Sequence, residues 1–207
     1  MIMDRPKISQ ALPKVILAAA AFICIGWADT WDGIKAAAGK VTSVSAEFTQ
    51  EKHMKILSRP LVSGGAFHFQ APNSLRWEYQ YPVQSALLMH NGKTKRYIRR
   101  NGKIVEDAGA SLQTMQVVLQ EITLWMRGRF DENPMFSASL KPDRKIVLSP
   151  KEKALATIIQ RIELILSERA GMMESVTIYE DENSFTRLEF KNVVQNRSLE
   201  ASLFREF

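Results

Sequence analysis

Between Val44 and about residue 107, apolar side chains recur at every second position, in runs separated by tight-turn residues. In an extended chain, successive side chains point to opposite faces, so this spacing buries its apolar residues only as a sheet with one apolar face. Val44, Ala46 and Phe48 alternate with Ser45, Glu47 and Thr49. Leu61, Ser63, Gly65, Phe67 and Phe69 share one face of a second strand. Leu75, Trp77 and Tyr79 share one face of a third, after a Pro72-Asn73 turn, and Ala86 to Met89 forms a fourth. Asn91-Gly92 and Asn101-Gly102 bracket a fifth strand carrying Tyr97 and Ile98; both pairs accept the positive φ of type I′ hairpins. Residues 43 to about 107 are therefore expected to form an antiparallel meander.

The period changes on either side. Trp31, Ile34, Ala38 and Val41 recur at helical spacing, with Thr30 or Asp29 as N-cap. Leu112, Met115, Val118, Leu119, Ile122, Trp125 and Met126 form an apolar helical stripe, started by Ser111 and ended by Gly128. Strands resume at Phe136 to Leu140 and Ile146 to Leu148, around a Lys141-Pro142-Asp143 turn. Residues 150–166 fit two patterns. Leu155, Ile158, Ile159, Ile162 and Leu166 suit a helix, whereas Ile158, Ile162, Leu164 and Leu166 with Arg161 and Glu163 opposite suit a strand. Met173 to Tyr179 and Phe185 to Val193 alternate cleanly across a polar turn at Glu180 to Ser184. The fold class is α+β, a long antiparallel sheet interrupted by one or two helices.

The N-terminus carries an address. Arg5, Lys7 and Lys14 precede an uncharged apolar run from Val15 to Ile25, and Gly26 and Ala28 are small residues placed for cleavage before Asp29. This is the three-part pattern of a secretory signal peptide, and the run is short for a membrane span. The expectation is a cleaved segment at 1–28 and a single domain at 29–207, located in the periplasm; an uncleaved anchor is the alternative. Cys24, the one cysteine, falls in the removed segment, which suits an oxidising compartment and excludes cysteine chemistry. The full chain has a formal charge of +6, of which Arg5, Lys7, Lys14 and Asp4 leave with the leader. The remaining mild excess permits contact with anionic headgroups or acidic partners without requiring it.

Catalytic signals are thin. His53, His68 and His90 lack metal-ligand spacing and read as polar strand positions. Gly64-Gly65 sits within a strand, where glycine marks a bend or a close backbone approach rather than a phosphate loop. The pairs Asp131-Glu132 and Glu180 to Glu182 fall in turns, and nothing brings nucleophile, base and orienter together. No catalytic residue, metal or cofactor is expected, and no enzyme. The basic hairpin from Lys93 to Lys103 offers only Tyr97 as an aromatic platform, so nucleic acid is not an expected partner. Large apolar side chains are what the sequence has in quantity. Phe48, Phe67, Phe69, Leu75, Trp77, Tyr79 and Leu88 on strands, with Met115, Leu119, Ile122 and Met126 on the helix, either line a cavity for an apolar ligand or fill a core between sheet and helix. The methionines suit a surface that adapts to varied ligands.

Val44-x-Ala46-x-Phe48-x-Gln50, Gly65-x-Phe67-x-Phe69, Pro72-Asn73-x-Leu75-Arg76-Trp77-Glu78-Tyr79-x-x-Pro82 and Asn91-Gly92-Lys93-Thr94 together resemble the outer-membrane lipoprotein carrier family, of the LolA type. Phe190-x-Asn192 and the Leu199 to Phe204 segment resemble its later strands. The resemblance implies a half-open antiparallel β-barrel with helices forming a lid over an apolar cavity. It implies a monomeric carrier of lipoprotein acyl chains, or of other lipids, between an inner-membrane releasing complex and an outer-membrane receptor. It also implies that the segment after Pro150 continues as strand from about Ile158, while a helix starting at Ser149-Pro150 remains the other reading that the residue pattern offers. The alternative is a non-catalytic periplasmic interaction or structural module of the same fold with a filled core. Ala71 stands where the family's carriers have the Arg that helps hold the lid closed, and the typical carrier continues past the strand ending near Phe204.

Overall fold

The structure, a computed structural model, describes residues 30–107, 119, 121–169, 171–205 and 207. The leader expected at 1–28 and, of the helix expected from Ser111 onward, Ser111, Leu112, Met115 and Val118 lie outside the described residues. Helix α1 (Trp31–Ala38) begins where the Thr30 hydroxyl accepts from the Gly33 N–H at 3.1 Å. Six strands then follow in meander: β1 (Ser43–His53), β2 (Leu61–Gln70), β3 (Ser74–Tyr81), β4 (Ser85–His90), β5 (Lys93–Arg100) and β6 (Lys103–Glu106). Helix α2 is described at 119 and 121–126, and it is followed by Gly128 at φ +67°, the left-handed conformation that ends a helix. After it come β7 (Phe136–Lys141), β8 (Lys145–Pro150), the single-turn α3 (Lys153–Ala156), β9 (Arg161–Leu166), β10 (Met173–Tyr179), β11 (Phe185–Gln195) and a 3₁₀ turn, Ala201–Phe204.

All eleven strands form one antiparallel sheet in the order β6-β5-β4-β3-β2-β1-β11-β10-β9-β8-β7. Two meanders are joined where β1 pairs with β11, and edges β6 and β7 do not pair, so the barrel stays half open. Asn91 (φ 50°) with Gly92 (φ 75°) and Asn101 (φ 50°) with Gly102 (φ 76°) close two-residue hairpins, as their chemistry predicts. At Gly64-Gly65 the β2–β3 register slips by one residue. A Cβ on Gly65 would run into the Glu78 carbonyl oxygen, and one on Gly64 would stand 2.7 Å from the Phe48 carbonyl oxygen. This is the close backbone approach expected of glycines within a strand.

The ambiguous stretch resolves as one helical turn followed by strand. Ile158, which fits both patterns, is 65% exposed in the connection, while Ile162 (3%) and Leu164 (0%) point into the core. Alternation from Arg161 onward outweighed the helical spacing because β9 is hydrogen-bonded on both sides, to β8 and β10.

Residues directly opposite each other on paired strands share a face, so the register defines two faces. The concave face runs unbroken from Leu87 and Met89 on β4, through Phe67 and Phe48, to Leu188 on β11 and on to Leu148 on β8. Both α1 and α2 pack on this face, and Ile34, Leu119, Ile122, Trp125 and Met126 join the strand residues in one hydrophobic core. Gly128 lets the end of α2 meet α1, since a Cβ there would stand 2.9 Å from the Ile34 carbonyl oxygen.

Candidate functional site

The register gathers most of the predicted apolar residues on the concave face. Phe48 lies opposite Gly65 on one side and Phe190 on the other; Phe67 lies opposite Trp77, and Phe69 opposite Leu75. Their rings interlock edge to face. Trp77 stands 5.2 Å from Phe48 and 5.5 Å from Phe67, Tyr79 5.2 Å from Phe48, and Phe190 5.9 Å from Phe67. Such geometry sets the positive edge of one ring against the negative face of the next.

Burial divides this wall in two. Phe48, Phe67, Phe69 and Leu75 are at most 3% exposed, and Leu119, Ile122 and Met126 on α2 are at most 5%. Trp77, Tyr79 and Phe190, with Leu87 and Met89, are half-buried. The half-buried aromatics are the more exposed part of the wall. The Tyr79 hydroxyl donates to Gln50 Oε1 at 2.8 Å, and burial pushes its phenol up to about 12, an effect that the neighbouring Trp77 N–H partly offsets. The Trp77 indole nitrogen itself makes no well-formed hydrogen bond among the described residues.

Leu88 does not belong to this wall. It pairs with Arg76 and Lys95, one position out of step with Leu75, Trp77 and Leu87, so it faces the convex side. It is buried all the same, because the C-terminal segment folds back across that side and seats Phe204 there. Arg76, 8% exposed, anchors the segment: its Nε donates to Glu78 at 2.7 Å, its Nη1 to the Leu203 carbonyl at 3.0 Å, and its guanidinium sits 5.4 Å from the Phe207 ring centre. Residue-by-residue hydrophobicity cannot distinguish the two apolar faces of β4; the offset of Ala86 and Leu88 from the β3 alternation was the available signal. Met115 lies outside the described residues.

Three features of the site carry little sequence signal. Phe190, in the resembling strand, joins the aromatic row. Arg127, just past α2, donates from Nη2 to the Pro72 carbonyl at 2.7 Å and to Asn73 Oδ1 at 2.9 Å, tying the helix to the Pro-Asn turn. Glu121 is buried on α2 and accepts from Asn133 Nδ2; burial raises its carboxyl above the usual range, and the Asn133 contact opposes the rise. Asn133 is itself held, its Oδ1 accepting from the Met135 and Phe136 N–H groups at 2.8 and 2.9 Å.

The histidines occupy strand positions with local partners: His68 with Ser45, His90 with Ser74, and His53 stacked on Phe185. Burial and the nearby Arg76 lower His68. Among the described residues, no cluster of three or more His, Cys, Asp or Glu could hold a metal ion.

An open antiparallel sheet curved around an apolar face, with helices laid over it, is the architecture of a half-open β-barrel of the α+β class. The family model of the outer membrane lipoprotein carrier protein LolA matches residues 39–206. The chain belongs to that family. No curated protein matches it. Among solved structures, a LolA superfamily protein from Nitrosomonas europaea is 10% identical with a TM-score of 0.43, over 84% of this chain and 97% of that one. A DUF1329 family protein from Desulfovibrio piger is 10% identical at 0.44, over 85% and 97%. A chain of the Pseudomonas aeruginosa MucA/MucB complex is 12% identical at 0.44, over 87% and 61%. The family assignment rests on the sequence match and not on these structures.

Proposed function

We propose that the protein is an exported carrier. It takes up the acyl chains of lipoproteins, or other lipids, between the concave face and α2, and carries them towards the outer membrane. The observation behind this reading is the half-buried aromatic row of Trp77, Tyr79 and Phe190, which continues the buried apolar wall of Phe48, Phe67, Phe69 and Leu75. Family membership supports the same reading. Phe48, Phe67, Phe69, Leu75, Leu119, Ile122, Met126 and Met115 would complete the wall when α2 moves. The Trp77 N–H would meet an ester or amide carbonyl at the head of the chain. The chain would leave the cytoplasm by cleavage after Ala28 and act as a periplasmic monomer without catalysis, meeting a releasing complex at the inner membrane and a receptor at the outer one.

A specific observation favours the second reading, a filled-core interaction module. Leu119 is 0% exposed and Met126 3%, so the helix sits on the sheet as a core helix does. Native mass spectrometry of the protein recovered from the periplasm separates the two. Co-purifying acyl species on a chain beginning near Asp29 are expected. A clean apo mass, with no uptake of a fluorescent fatty acid, would leave the filled-core module.

A further inference from the structure

Nine large apolar side chains stand exposed among the described residues, and six of them lie along one edge of the sheet. Ile56 and Leu57 are in the β1–β2 loop, Leu61 and Val62 open β2, Tyr81 ends β3 and Val83 lies in the β3–β4 turn. The register fixes their common edge, since Lys52 pairs with Leu61, Gly64 with Tyr81, and Tyr79 with Ser85. The β5–β6 hairpin, where Arg100 pairs with Lys103, reaches the same edge. With strands about 4.8 Å apart, the arc from β1 to β6 spans about 25 Å. Ile56 is 85% exposed, Leu61 55% and Val83 53%. Apolar side chains grouped this way on a folded surface mark an interaction site.

The charge along the arc is of one sign. Residues 54–62, 81–84 and 99–103 contain Lys55, Arg59, Arg99, Arg100 and Lys103 and no Asp or Glu. Arg99 is engaged with Gln84 and with the Gly102 carbonyl, and Lys55 lies close enough to Asp181 to lower its carboxyl. Arg59, Arg100 and Lys103 form no ion pair or hydrogen bond among the described residues. The acids beside the arc are Glu51, which stands opposite Val62 and within 3.2 Å of His53, and those of the β10–β11 turn, where Glu180 is taken by Lys52 at 3.0 Å and Glu182 lies across a pocket from Arg59.

We propose that this edge docks on an anionic bilayer surface. Ile56, Leu57 and Val83 enter the boundary between headgroups and acyl chains, and Arg59, Arg100 and Lys103 sit over the lipid phosphates. Apolar tips among unpaired cations suit such an interface, where burial of the tips and attraction to headgroup phosphate add. A protein partner would need acids matched to three separated cations, whereas a lipid surface supplies phosphate everywhere. The docking requires no ligand on the concave face.

Flotation with phosphatidylcholine vesicles, with and without phosphatidylglycerol, tests it. Wild type should float with the phosphatidylglycerol vesicles and lose that binding as salt is added. Arg59→Gln with Arg100→Gln should weaken it by about thirtyfold. Ile56→Asp with Val83→Asp should abolish it at an unchanged melting temperature, because both residues are exposed. All variants share one N-terminus, so any contribution of residues 15–25 cancels. Equal binding to both vesicle compositions, or full binding by the Asp variants, overturns the proposal. Absence of vesicle binding also overturns it and leaves a protein as the occupant of this edge.

Discussion

A carboxyl group that is 7% exposed on an apolar helix face loses its hydration, and one amide contact from Asn133 replaces little of it. Glu121 therefore holds its proton above its ordinary value of 4.5. In the unfolded chain the same group ionises at that ordinary value. As pH rises through it, the unfolded chain loses its proton first and gains stability that the native state lacks. The native contribution is thus present at acid pH and lost as pH rises from about 4.5 through the raised native value, at about 1.4 kcal/mol for each pKa unit between the two. Glutamine does not titrate and keeps an oxygen for Asn133. Glu121→Gln should be more stable than the parent at pH 7 in urea unfolding, and the difference should vanish near pH 4. Equal midpoints at pH 7 would mean that the carboxyl is hydrated in solution.

At the scale of elements, α2 is fastened to the sheet in two ways. Its apolar face is buried among the strand residues, and Arg127 grips the Pro72-Asn73 turn beyond its C-terminal end. The first is core packing, worth several kcal/mol per large residue; the second is a polar contact at the surface, worth about 1 kcal/mol. Arg127→Ala should therefore raise amide exchange in residues 121–126 with little change in global melting. Unchanged protection there would show that packing alone holds the helix. This contact was not legible in the sequence, because Arg127 and Asn73 are 54 residues apart and neither position is unusual by itself. The strands were legible, because alternation and Asn-Gly turns are local signals that the sheet then obeys. The α3–β9 stretch was not, since a one-turn helix followed by an exposed Ile158 imitates a longer helical stripe. Leu88 misled for a related reason: an apolar residue on a strand reports burial, and the convex side is also buried, beneath Phe204.

For the whole molecule, the carrier and filled-core readings differ in what ligand does to folding. The sheet is one continuous layer whose two edges do not pair, and the described helix residues pack on its concave face. If an acyl chain enters between them, it binds the native state and not the unfolded chain, and mass action stabilises the fold. A fluorescent fatty acid at a hundred times its dissociation constant would add about 2.7 kcal/mol. For a domain of this size, each kcal/mol moves the melting temperature by about 2–4 °C, so a rise of about 5–10 °C is expected. Exchange protection of residues 121–126 should change with it, because α2 must move to admit a chain where Leu119 and Met126 now pack. A filled core gives the opposite sign: the probe finds apolar surface mainly in the unfolded chain, and melting temperature falls or stays level. A rise in Trp77→Ala as large as in the parent would place the chain elsewhere on the molecule, since Trp77 stands in the middle of the aromatic row.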